Sequence, residues 1–352
     1  DFKLETFFSE WEFNAKYHMC ASDMESMTLD DLMSLGTDQD RENWHNLNFK
    51  YIETYGSPEL RTAVANTYLT QKSENILAFA GAEEGLFVAM HCILSKDDHA
   101  IIITPNYQSA ETVPASICEV TGVGLEDNDN WNLNLQKIKD VIQPNTKLIS
   151  INFPHNPTGG YLTREQLDEV VFIARKHNIY IFSDEMYHKL IAGSASELPP
   201  IADIYEKGIS LWGTSKTFGL AGLRTGWLVA QDADFLKKVI VYKDYLSICN
   251  SAPSEILSII ALNHLDAFLL PNLKKIRANI ELFDAFVTEN PILSSFTPPK
   301  AGSTSFVPLD IKTSSLAFSN QMLEKTGIMT VPSEMFDHRG KYIRVGFGRA
   351  NF

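Results

Sequence analysis

Several absences narrow what this chain does. No run approaches the ~20 continuous apolar residues that a membrane span needs. Basic residues are in deficit: Lys plus Arg is 30 against 44 Asp plus Glu, a net charge of −14. Nucleic acid and anionic membranes demand clustered cations, so neither is expected as a main partner. Cysteines are few and far apart (Cys20, Cys92, Cys118, Cys249) and form no C-x-x-C. Free thiols in a reduced cytoplasm are expected, and the clustered ligands of a zinc site are missing. There is no G-x-x-x-x-G-K-[ST] and no G-x-G-x-x-G, which removes the P-loop and the dinucleotide fingerprint. There is no G-x-S-x-G or S-x-x-K, which argues against a serine hydrolase. No internal repeat or low-complexity tract stands out. The opening, DFKLETFFSEWEF, mixes acids with apolar residues and does not read as a signal peptide; it has no initiator Met, which leaves room for residues upstream.

What is present fits a globular protein. At about 150 residues per domain, 352 residues suggest two domains. With 44% apolar and 21% charged residues the chain can bury a core. The middle alternates short apolar runs with helical patterns. Ile76–Phe79, Ala100–Thr104, Val120–Leu125, Leu148–Phe153, Ile179–Phe182, Ile209–Trp212 and Gly226–Ala230 are predicted strands. Glu83–Leu94, Leu133–Ile142 and Thr163–His177 are predicted helices, the last opening on the capping box Thr163-Arg-Glu-Gln166. This alternation implies a mostly parallel sheet covered on both faces. Its chemistry is expected in loops beyond the C-terminal strand ends. Past Gln231 the alternation stops. Asp232–Tyr245 and Ser254–Asn290 read as long helices, and Phe296–Phe352 returns to short strands. That part is expected to form a smaller domain joined by the N-terminal arm.

Unusual polar residues cluster at the strand ends. Lys216 follows a strand among small residues (Gly213-Thr-Ser-Lys-Thr-Phe-Gly-Leu220), where partial burial favours a nucleophilic amine able to form a Schiff base. Asp184 ends the run Ile179-Tyr-Ile-Phe-Ser183, with Tyr187 three residues on; alone it reads as a cap, an ion-pair partner or a metal ligand. Asn156-Pro157 in Asn152-Phe-Pro-His-Asn-Pro-Thr-Gly-Gly160 reads alone as a turn. Gly81-Ala82-Glu83-Glu84-Gly85 joins a strand to a helix whose first amides can hold a phosphate.

Taken together, these motifs resemble the fold type I pyridoxal-phosphate (PLP) enzymes of the aminotransferase class I and II group. The matching segments are Tyr51 with Gly56-Ser-Pro-Glu-Leu-Arg61, Gly81-Ala-Glu83, Pro105-Asn-Tyr107, Asn156-Pro-Thr-Gly159, Asp184-Glu-Met-Tyr187, Ser215-Lys216 with Ala221-Gly-Leu-Arg224, and Tyr342-Ile-Arg344. They run in family order over roughly residues 45 to 350. The resemblance implies an α/β fold with a large, mostly parallel sheet domain covered by helices and a smaller α+β domain. The expected division is an arm over 1–45, a PLP-binding domain over 46–250, and an interdomain helix with the small domain over 251–352.

The resemblance also implies roles. Lys216 would hold pyridoxal 5′-phosphate as a Schiff base and, once released, act as general base. Asp184 would pair with the pyridine nitrogen, Asn156 and Tyr187 would hydrogen-bond the ring oxygen, and Tyr107 would lie against the ring. Amides of Gly81, Ala82 and Glu83, with Arg224, would take the phosphate, and Tyr51 would reach the phosphate of a partner subunit, making a homodimer the expected minimum. Arg344 would grip the substrate α-carboxylate. The implied activity is cytoplasmic transfer of an amino group from an L-amino acid to a 2-oxo acid. The alternative is a PLP-dependent lyase, decarboxylase or cyclase, with a guanidino amino acid as one candidate substrate. A PLP-sensing regulator is disfavoured, because nothing basic precedes the fold.

Two departures stand out. Gly213 stands where many members carry serine, and Cys20-Ala-Ser-Asp-Met-Glu25 lacks the glycine many carry in the arm. The arm, Phe8-Ser-Glu-Trp-Glu-Phe-Asn-Ala-Lys-Tyr17, resembles that of capreomycidine synthase-type enzymes, and its acids Asp23 and Glu25 would favour a basic substrate side chain. His155, His188 and Arg349 are expected to be structural, and Trp11 and Phe13 to be packing residues.

Overall fold

The computed structural model describes residues 1–293 and 296–352. Its centre is a seven-stranded sheet in the order Ile76–Phe79, Gly226–Ala230, Gly208–Gly213, Tyr180–Asp184, Thr146–Asn152, His99–Thr104, Glu119–Gly124. Only Gly226–Ala230 runs against its neighbours. The other pairings are parallel, which places the C-terminal ends of Thr146–Asn152, Tyr180–Asp184 and Gly208–Gly213 on one edge. These strands are buried throughout, as the continuous apolar runs require of a sheet covered on both faces. One face packs against Leu86, Val88, Met90, Phe235 and Val239 from the helices Ala82–Ile93 and Ala233–Lys243. The other packs against Leu167, Val170 and Ala174 of Arg164–His177.

Each predicted strand is present, with bounds shifted by at most two residues. The Thr163 capping box forms: its hydroxyl accepts from Gln166 N at 3.2 Å, and Thr163 N donates to Gln166 Oε1 at 2.9 Å. The single long helix expected over 254–290 is two, Ala252–Asn263 and Leu265–Glu289, which meet at His264 at 72°. Neither is long and apolar enough to cross a membrane, and the same holds for every other single helix among the described residues. The tail carries a helix its short strands gave no hint of, Ser315–Thr326, beside an antiparallel sheet of Val331–Pro332, Tyr342–Gly346 and Thr304–Pro308.

The arm is held at two places, by one strand pairing and by one buried helix face. Tyr17–His18 runs parallel to Ile328–Met329, which ties it to the tail. The helix Lys3–Trp11 precedes it, with Leu4 and Phe7 buried in the core. Trp11 packs against the same core as expected, but Phe13 does not: it is 88% exposed, because it lies in the turn beyond the helix end, off the apolar stripe.

Candidate active site

Three parallel strand ends converge on one cavity of about 360 Å³. Asp184 is the last residue of its strand and only 9% exposed. Its Oδ1 accepts from Met186 N at 3.1 Å. Burial lifts its carboxyl from 3.8 to about 7; the Met186 amide pulls the other way, Glu83 adds to the rise, and Lys216 opposes it. Asn152, one strand over, bridges the neighbourhood: its Nδ2 donates to Asp184 O at 2.8 Å and its Oδ1 accepts from Asn156 N at 2.9 Å. Tyr187 is buried, lines the same cavity, and its hydroxyl has no partner among the described residues. A buried phenol without a partner carries a desolvation cost that a bound acceptor would relieve.

The Lys216 loop is held by its neighbours. Leu220 N donates to Thr214 O at 3.0 Å, Thr217 Oγ1 donates to His188 O at 2.9 Å, and Asn272 Nδ2 donates to Thr217 O at 2.9 Å. Gly219 has φ +67°, and a Cβ there would fall 2.5 Å from Glu25 O, so the loop needs glycine at this point. Lys216 Nζ emerges half-buried into the cavity and donates to Ser22 Oγ at 2.9 Å.

A cradle lies beside it. The helix Ala82–Ile93 starts at Gly81, which has φ +102°. A Cβ on Gly81 would sit 2.6 Å from Arg224 Nη2, so the missing side chain makes room for the guanidinium. Gly226 serves the same corner: its Cβ would lie 2.5 Å from Ala82 N. Arg224 itself is left-handed, with φ +48°, an uncommon backbone for a non-glycine residue. The Gly81 amide already donates to Phe79 O at 2.8 Å, so Gly81 contributes space, and the donors left for an anion are the amides of Ala82 and Glu83.

Arg344 closes the other side. It is 1% exposed, and its guanidinium spends three donors: Nε and Nη2 reach Cys20 O at 3.2 and 3.0 Å, and Nη1 reaches Asn156 Oδ1 at 3.1 Å. A guanidinium has five N–H groups, so Nη1 and Nη2 each keep one. Because Asn156 presents its oxygen to Arg344, its amide NH₂ is left to donate elsewhere. Tyr107 lines the cavity too, with its hydroxyl donating to Glu5 Oε1 at 2.6 Å. Burial and then Glu5 push its pKa well above the ordinary phenol value, so it stays protonated.

The cavity therefore gathers Ala82, Glu83, Tyr107, Asn156, Asp184, Tyr187, Lys216, Arg224 and Arg344, with Gly81 against Arg224. It does not gather Tyr51, which is 83% exposed on a separate surface beside Phe49 and Cys249. Asp23 and Glu25 are not free for a substrate: Arg349 pairs with Asp23 at 2.9 Å and lies 3.8 Å from Glu25. His155 and His188 are buried, which pushes each down to about 3 and keeps both neutral. Residues that sequence reasoning passed over also line the site, namely Asn152, Glu5, Phe8, Glu12 and Ser22. Asn152, Ser22, Phe8 and Glu12 stood inside quoted segments without a place in the site. Glu5, Phe8 and Glu12 could be found only from the i, i+3, i+7 spacing of a helix not anticipated there.

These residues fit pyridoxal phosphate: an amine to attach it, a buried carboxylate for the ring nitrogen, an orphaned phenol, and a helix start opened by glycine beside an arginine. The description "Aminotransferase class I and II" matches residues 16–351, and the chain belongs to this family of PLP-dependent aminotransferases. A PLP-dependent aminotransferase from Streptococcus suis has a crystal structure with a TM-score of 0.93, 30% identity, and coverage of 99% of this chain and 92% of that one. The aspartate aminotransferase of Pyrococcus horikoshii is 28% identical over 84% of this chain and 78% of its own length. The capreomycidine synthase of Streptomyces vinaceus is 24% identical over 98% of this chain and 88% of its own.

Proposed function

We propose that this enzyme moves an amino group from an L-amino acid to a 2-oxo acid with pyridoxal 5′-phosphate as cofactor. The observation that carries this reading is the meeting, in one cavity, of the Lys216 amine, the buried Asp184 carboxylate, the unpartnered Tyr187 hydroxyl and the buried Arg344 guanidinium. When bound, the cofactor supplies an aldehyde and an electron sink that make a Cα–H bond labile. Lys216 attaches it and afterwards takes and returns the proton at the substrate Cα. Asp184 holds a proton on the ring nitrogen. Tyr187 Oη and Asn156 Nδ2 would donate to the ring oxygen, and Tyr107 would lie against the ring. The amides of Ala82 and Glu83 and the side chain of Arg224 hold the phosphate, with Gly81 giving them room. The two spare N–H groups of Arg344 take the α-carboxylate as a fork.

We also read residues 1–45 as the arm, 46–250 as the PLP-binding domain and 251–352 as the interdomain helix and small domain. A cytoplasmic homodimer is the form we assign. Phe49, Tyr51 and Tyr245 are all more than 80% exposed, a large apolar exposure that a second copy would cover, and it would carry Tyr51 to the partner's phosphate site. The test of the main reading is to mix the loaded enzyme with single amino acids and follow the cofactor's visible absorption. One half-turnover that stops until a 2-oxo acid is added supports transfer.

A second reading is a lyase, decarboxylase or cyclase on an amino acid. It is favoured by the likeness to a capreomycidine synthase, which extends through the arm, and by Ser22, whose hydroxyl meets Lys216 Nζ at 2.9 Å. Sustained release of ammonia, CO₂ or pyruvate, or a cyclic product, without any 2-oxo acid would select it.

A further inference from the structure

The cavity has a mixed side and an acidic side. Lys216, Arg224 and Arg344 stand on the sheet and tail side together with the acids Asp184 and Glu83; the arm helix Lys3–Trp11 and its C-terminal cap bring only the acids Glu5 and Glu12, with Phe8 between them. Positions 5, 8 and 12 lie on one stripe of a helix, so both carboxylates and the phenyl face the same space. The space continues outward into a second cavity of about 600 Å³ that shares Glu5, Phe8, Glu12, Ser22 and Lys216. The other charged and titratable groups there are Asp23, Glu25, His18, Arg349 and the buried thiol of Cys20, and Arg349 is already held by Asp23 at 2.9 Å. No cation within 4 Å pairs with Glu5 or Glu12 among the described residues. Glu5 receives only a neutral phenol hydroxyl, from Tyr107 at 2.6 Å.

Two further observations make this more than an acidic surface. The same cavity holds a nine-tenths buried tyrosine hydroxyl without a partner, Tyr187, and a nearly fully buried guanidinium with two donors to spare, Arg344. Both call for a ligand in this cavity: on the reading above Tyr187 meets the cofactor and Arg344 the amino acid's α-carboxylate, so the substrate is anchored in the space that Glu5 and Glu12 also line. And the helix that carries them is anchored: Lys3 N donates to Gln108 Oε1 at 2.8 Å, Gln108 Nε2 donates to Asp1 O at 2.6 Å, and Leu4 and Phe7 are buried.

We infer that the amino acid taken by this enzyme carries a cationic side chain, an amine or a guanidinium, whose methylenes lie along Phe8 and whose charge sits between Glu5 and Glu12. The inference rests on the proposed PLP-dependent reading for the placement of the α-carboxylate at Arg344. A flexible apolar stem with a charged head suits such a lining, because the stem packs on the phenyl while the head meets carboxylates. An acidic side chain would meet two like charges.

The test uses the cofactor-loaded enzyme and ligands without an α-amino group. Calorimetry compares 5-guanidinopentanoate with hexanoate for wild type, Glu12→Gln and Glu5→Gln. Wild type is expected to bind the guanidino acid ~10–100-fold more tightly than hexanoate, the scale of a hydrogen bond to a charged group. Each variant is expected to lose most of that preference while changing hexanoate affinity little. Glu12 is exposed, and Gln at position 5 can still accept from Tyr107, so both variants are expected to fold. Equal affinity for the two acids, or an unchanged preference in Glu12→Gln, overturns the inference. Half-reaction rates with L-arginine, L-lysine, L-norleucine and L-glutamate then separate guanidinium from amine. If no amino acid alters the cofactor's absorption while the guanidino preference stands, the transfer reading fails and this one does not.

Discussion

At the sheet side of the cavity, Asp184 ends a strand whose backbone is paired to both neighbours, at Asn152 and at Leu211. At the arm side, Glu5 and Phe8 ride on a nine-residue helix held by a few side-chain contacts and a small apolar stripe. The first arrangement is rigid because many buried backbone bonds converge on it; the second is adjustable, because replacing one or two exposed side chains changes its chemistry without touching the sheet. Rigid strand ends suit the invariant part of a reaction, and an edge element suits the choice of substrate.

That division can be broken experimentally, beginning with the largest effect. Lys216→Ala is expected to abolish the cofactor's lysine-bound absorption and lower turnover by roughly 10³–10⁴-fold or more, with melting temperature little changed. Turnover like wild type would refute the sheet side as the reactive one. Arg344→Lys keeps the charge but loses the fork, and KM for the amino acid is expected to rise ~10–100-fold, measured by steady-state kinetics against the same donor.

A third prediction concerns stability without cofactor. Asp184 is lifted from 3.8 to about 7 by burial. A carboxyl with a raised folded value favours the fold while protonated, so its contribution is full below 3.8 and is lost as pH rises through about 7. Asp184→Asn cannot ionise and can still accept from Met186 N. The cofactor-free variant is therefore expected to gain on cofactor-free wild type between pH 5 and pH 8, by roughly 3 kcal/mol in denaturant unfolding. Glu185, raised to about 8 by burial, is common to both chains and cancels. A constant difference across that range would contradict the buried, unpaired carboxylate.

Effects at Ser22 and Phe13 are smaller. Ser22→Ala removes the hydroxyl on Lys216 Nζ and is expected to change kcat by less than tenfold, about 1 kcal/mol, the net worth of one hydrogen bond. Phe13→Ser touches nothing buried and is expected to stay within ±0.5 kcal/mol of wild type in unfolding.

The sheet side was legible in the sequence and the arm side was not, for a physical reason. Buried parallel strands read as unbroken apolar runs, and a polar residue at their end, such as Asp184 or Lys216, stands out against them. The arm helix has no side-chain N-cap and only two fully buried residues, so its pattern is faint. Asp23 and Glu25 were visible as acids, but their neutralisation depends on Arg349, over 320 residues away along the chain. The role of Gly226 could not be read locally either, since the Ala82 amide it clears lies just past the end of the neighbouring strand, far away along the chain.

The central claim is that the Lys216 amine carries the cofactor in this cavity. Borohydride reduction of the loaded enzyme, followed by tryptic mass mapping, tests it directly. A phosphopyridoxyl group on the peptide spanning Gly208 to Arg224, localised to Lys216, is the predicted result; the same group on another lysine, or on none, would contradict the account.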